Sequence, residues 1–88
     1  MLSPTTNDAE ALALSALAAT LSDERRAMRF LDLTGLSPDG IRERIGERSL
    51  MAAVLAFLES HEPDLVEVAG SIGCKPEALI AARAELER

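Results

Sequence analysis

The sequence contains neither tryptophan nor tyrosine, and its only aromatic residues are Phe30 and Phe57. Surfaces that bind single strands or read RNA stack bases on aromatic rings, so this scarcity counts against both functions. Cysteine occurs once, as Cys74, which excludes an intrachain disulfide and a cysteine-based zinc site. With no sign of an oxidising compartment, the expected location is the cytoplasm. Positive charge is also scarce: nine Lys and Arg stand against fifteen Asp and Glu, for a formal net charge of -6. A DNA reader needs a cationic face against the phosphates, so nucleic acid is not the expected partner. No long hydrophobic run is present either. The apolar stretch from Ala9 to Leu21 is interrupted by Glu10, Ser15 and Thr20, and it falls short of the ~20 residues that cross a bilayer. No basic residue precedes it, as one would in a secretory signal. Neither a membrane partner nor export is expected.

What the chain does have is helix-forming composition. Hydrophobic residues make up 48% and charged residues 27% of its 88 positions, which fits one small ordered domain spanning 1–88. Residues 1–7 are expected to form a disordered tail. Asn7 with Glu10 resembles a capping box, opening an Ala- and Leu-rich helix that runs to about Leu21. Ser22 is placed to cap a second helix over about 23–34, with Ala27, Phe30, Leu31 and Thr34 on one face and Gly35 ending it. Ser37 and Pro38 open a short third helix that Gly46 stops. Leu50 to Leu58 is an unbroken apolar run rich in Ala, Leu and Met, read as a buried central helix. Glu62-Pro63 starts a fifth helix with Leu65, Val68, Ala69 and Ile72 on one face. Lys75-Pro76-Glu77 starts a sixth, striped by Leu79, Ala82 and Leu86. No segment alternates as a strand does. The expected fold is therefore all-α, a compact bundle of five or six short helices with a helix-turn-helix-like C-terminal pair.

Gly35-Leu36-Ser37-Pro38-Asp39 and Gly73-Cys74-Lys75-Pro76-Glu77 share a corner chemistry. Each sets glycine at a helix end, then proline and an acid at the start of the next helix. The second corner, with Ala69, Gly73 and Leu79, resembles the bacterial helix-turn-helix superfamily. That resemblance implies a recognition helix from Pro76, with Lys75 and Arg83 as its DNA contacts. The local chemistry opposes it. Glu77, Ala78, Ile80 and Ala81 are not base-reading residues, and the C-terminal half is the more acidic, with eight acids and four bases over residues 47–88. Arg29-Phe30-Leu31-Asp32-Leu33-Thr34-Gly35-Leu36-Ser37-Pro38 and the core run from Val54 to Leu58 resemble a small alphaproteobacterial all-helical family of unknown function. The resemblance extends over nearly the full length and carries no activity with it.

Three constellations bear on function. Arg25, Arg26 and Arg29 gather over one helical turn and could hold an anionic or acidic partner, although Asp23, Glu24 and Asp32 are near enough to pair with them. His61, Glu62, Asp64 and Glu67 sit at a helix start, where acids favour the helix dipole without any metal, so no metal or cofactor is expected. Cys74 and His61 are a nucleophile and a base on paper, but a cysteine at a helical corner is expected to serve as a small buried hydrophobe. The first helix has no polar face, which leaves Leu12, Leu14 and Leu17 as candidate partner-binding residues beside Arg25, Arg26 and Arg29. The expectation is a non-catalytic module that binds an unidentified protein or forms a homodimer. A transcription-linked DNA-binding protein with an acidic surface is the alternative.

Overall fold

The computed structural model describes residues 6–88, with side chains from Asp8 onward. Among them run six helices: α1 Thr6–Leu21, α2 Glu24–Thr34, α3 Pro38–Arg44, α4 Arg48–Glu59, α5 Glu62–Ile72 and α6 Pro76–Leu86. No strand occurs among the described residues, so the chain is an all-α bundle. Of the expected tail at 1–7, the first five residues lie outside the described residues, while α1 already takes in Thr6 and Asn7. The capping box expected at Asn7 falls outside the described side chains.

The helices start and stop where backbone chemistry requires. Gly35 and Gly73 adopt left-handed φ of 74° and 80°, a conformation that costs other residues ~1–2 kcal/mol. At the second corner the Cys74 N–H donates to the Ala69 carbonyl at 2.9 Å and the Gly73 N–H to the Gly70 carbonyl at 3.3 Å. This paired closure satisfies two carbonyls that the end of α5 would leave open. Pro38 and Pro76 then open α3 and α6, where a missing N–H costs nothing. The Ser37 side chain accepts from the Gly40 N–H at 3.0 Å. At α2 the cap is Asp23 rather than Ser22: Asp23 Oδ1 accepts from the Arg26 N–H at 3.0 Å. The Ser22 hydroxyl instead donates backward to the Ala19 carbonyl at 2.8 Å, helping to close α1. A carboxylate at that position also meets the positive end of the helix dipole, which a hydroxyl does not.

Helices α1, α4, α5 and α6 each contact the other three, and α2 packs on α1. The core is built chiefly from α4, where Leu50, Met51, Val54, Leu55, Phe57 and Leu58 are all buried. Removing such side chains from water contributes ~1.5–3 kcal/mol each. The α6 stripe of Leu79, Ala82 and Leu86 and the α5 trio Leu65, Val68 and Ala69 face it. Arg48, at the start of α4, donates to the Glu85 and Leu86 carbonyls at 3.2 and 3.0 Å, tying down the end of α6.

On α1 the buried stripe is Ala9, Ala13, Ala16, Leu17 and Thr20, recurring every three or four residues. Small side chains there let the helix lie close against its neighbours. The Thr20 hydroxyl donates to the Ala16 carbonyl at 2.7 Å, so its burial leaves no polar group unmatched. Ala9, Ala13 and Ala16 thus point inward with Leu17, while Leu14 and Leu21 remain exposed.

Candidate functional site

The densest polar constellation joins two groups that are far apart in the chain. Asp64, in the first turn of α5, receives Arg26 Nε from α2 at 3.2 Å on Oδ1. Its other oxygen, Oδ2, lies 2.8 Å from Arg29 Nη2 and 3.0 Å from His61 Nδ1. Arg26 reaches on to the carboxylate of Glu67, one turn further along α5. The Arg26 and Asp64 side chains are only 7% and 8% exposed, so this is a buried ion pair with a wetter outer ring. Arg29 also lies over the Phe57 ring, 5.7 Å from its centroid. That ring meets Phe30 edge-on, with centroids 5.3 Å apart and an angle of 67°. Both contacts favour holding α2 against α4.

Burial pushes the Asp64 carboxyl up. The contacts from Arg29, His61 and Arg26, with the charge of Arg29, outweigh it and hold the group below the ordinary 3.8. A carboxylate held ionised at neutral pH and flanked by two guanidinium groups makes a clamp. Among the described residues no three His, Cys, Asp or Glu side chains converge to hold a metal ion.

The sequence presented Arg25, Arg26 and Arg29 as a patch and His61, Glu62, Asp64 and Glu67 as a separate cluster. The structure brings the two together. Arg26 does not belong to an outward surface, because it is buried against Asp64. The partner of Arg29 is Asp64, 35 positions ahead, and not the neighbouring Asp32. Only Arg25 of the three is exposed without an ion pair among the described residues.

Of the α1 candidates, Leu17 is buried in the core and leaves the expected partner surface, Leu12 is half-buried against the core, and Leu14 is exposed. Lys75 is exposed at the N-cap of α6. Arg83 is engaged with Glu59 at 2.8 Å and Glu87 at 3.1 Å. The solvent side of α6 shows Glu77, Ile80, Ala81 and Ala84. Cys74 packs against the core, and burial pushes its thiol above the ordinary 9.0, away from the reactive thiolate. His61 Nδ1 is directed to Asp64.

Sequence reasoning missed the apolar side chains left in water along α2 and α3. Leu33, Met28 and Ile45 are 70%, 58% and 53% exposed. A signal existed: Met28 and Leu33 lie off the stripe of Ala27, Phe30, Leu31 and Thr34, so α2 carries more apolar residues than one buried face uses. With Leu21, Ile45 borders an open groove of about 350 Å³ between the end of α1, α2 and α3.

These features define, among the described residues, an all-α bundle of six helices clamped by a buried ion cluster. A family model matches residues 6–88, and the chain belongs to that family, described as a protein of unknown function (DUF3572). No curated protein and no solved structure matches it. Among the described residues no helix is long and apolar enough to cross a membrane.

Proposed function

We propose that the chain is a non-catalytic interaction module whose adhesive face is the arm formed by α2 and α3. The observation that carries this reading is the exposure of Met28 on α2 and of Ile45 just after α3, where Ile45 and Leu21 border an apolar groove. Apolar side chains left in water beside an apolar recess mark a contact site. The charged groups that could serve chemistry are committed elsewhere: Arg26, Arg29 and His61 to Asp64, and Arg83 to Glu59 and Glu87. The lone Cys74, with no second cysteine to bridge to, supports a reducing, cytoplasmic setting.

The DNA-reading alternative draws support from the tight corner between α5 and α6 and from exposed Lys75. Against it stands the outward face of α6, which offers no cation at Glu77, Ile80, Ala81 or Ala84. One experiment separates the two readings. The tagged full chain is used to capture material from native lysate, eluted in salt steps, and analysed for protein and nucleic acid, with Met28→Glu as the control. The interaction reading expects a stoichiometric protein partner, or untagged chain, that the variant loses. Recovery of nucleic acid alone, released at a steep salt threshold, would favour DNA binding and count against the module.

A further inference from the structure

We infer that the α2–α3 arm is a latched strap: residues 22–47 open as one unit while the four-helix core stays folded, and Asp64 is the catch. Helices α1, α4, α5 and α6 each lie against the other three, so the core closes on itself without the strap. By backbone contact α2 rests chiefly on α1, and α3 makes little contact with the other helices. Few side chains moor either helix. Arg26 and Phe30 are buried on α2 and Ile41 on α3, with Leu31 and Leu36 half-buried against the core. By comparison α4 alone buries Leu50, Met51, Val54, Leu55, Phe57 and Leu58. Segments with few buried apolar contacts are the ones that open below the free energy of global unfolding.

The catch spans the seam between strap and core. Arg26 and Arg29, one helical turn apart on α2, both close on the Asp64 carboxylate at the start of α5, and Arg26 also reaches Glu67. Among the described residues every ion pair from strap to core ends on one of these two acids. Arg26 Nη1 further donates to the Ala19 carbonyl of α1 at 3.5 Å, while Phe30 and Arg29 meet the Phe57 ring of α4. A buried ion pair suits a catch because opening returns both charges to water, and their hydration offsets much of the lost attraction. Opening also needs dihedral changes only at the short links 22–23 and 45–47, the second of which holds Gly46 at φ 95°. The groove beside Leu21 and Ile45 takes its walls from α1 and from the strap, so it exists only in the latched state. The latch works whether or not the arm meets a partner, since every contact in it lies within the chain.

The test is native-state hydrogen exchange of the full chain, followed by NMR residue by residue across low denaturant concentrations. The helical amides of α2 and α3 are expected to share one opening, lower in free energy and shallower in denaturant dependence than that of α4, α5 and α6. Asp64→Asn should speed α2 and α3 exchange about a hundredfold, the effect of stranding the buried Arg26 charge. Leu79→Val, in the core face of α6, should speed α4, α5 and α6 exchange roughly fivefold, as one lost buried methylene does. It should leave α2 and α3 unchanged, because the latched and open states lose that packing equally. The wild-type and Leu79→Val measurements decide the matter even if Asp64→Asn fails to fold. Amides of α2 and α3 that exchange with the free energy and denaturant dependence of the core, or that follow it in Leu79→Val, overturn the strap. Exchange of α2 and α3 that Asp64→Asn leaves unchanged overturns the catch.

Discussion

Asp64 decides how α2 sits. Its carboxylate draws Arg26 out of the solvent, and Arg26 replaces Ala27 on the buried side of α2, beside Phe30. Breaking one half of such a pair leaves a buried charge uncompensated, so Asp64→Asn is expected to cost about 3 kcal/mol in chemical denaturation. The combined change Asp64→Leu with Arg26→Met removes both charges and is expected to cost far less than that single substitution. A double variant as damaged as the single one would show that the cluster matters by shape and not by charge. The pH dependence follows from the sign of the shift. Because the folded carboxyl lies below its ordinary 3.8, its stabilisation is fully present above that value and is lost as pH falls through the folded one. Asp64→Asn should therefore flatten the acid limb of the stability curve below about pH 4.

Glycine, proline and caps made the elements easy to read: every helix boundary apart from the Ser22–Asp23 cap falls within a residue or two of its sequence expectation. Local chemistry writes those signals within a few residues. The ion cluster was not legible in the same way, because Arg26 and Asp64 are 38 positions apart and no spacing rule connects α2 to α5. The face of α1 was illegible for a different reason. An apolar helix with scattered polar residues has no periodic contrast, and only the approach of α4, α5 and α6 decides that Ala13 and Ala16 go inward while Leu14 stays out. At this scale two glycines give opposite expectations. Gly73→Ala forces a left-handed conformation on an L-residue and should lower stability by about 1–2 kcal/mol. Gly70→Ala, on the exposed side of α5 with nothing within 4 Å of an added Cβ, should raise it by about 0.5–1 kcal/mol. Thermal unfolding of both variants checks the pair, and a loss at Gly70 would mean that this face of α5 is covered by something.

Over the described residues a four-helix core of α1, α4, α5 and α6, acidic over its C-terminal half, carries the arm of α2 and α3, which leaves Met28, Leu33 and Ile45 in water. The ion cluster and the Phe30–Phe57 contact hold that arm in place and so fix the shape of its groove. Two methionines report on the two regions separately. Met51 lies in the core, 1% exposed, and Met28 stands at the proposed contact. The most direct test is methyl NMR on the isotope-labelled full chain, diluted from millimolar to micromolar protein and then placed in native lysate, with both methyl signals assigned by substitution. The account predicts that the Met28 methyl moves on dilution or in lysate while the Met51 methyl stays still. A Met28 signal that holds one position under all these conditions would contradict it.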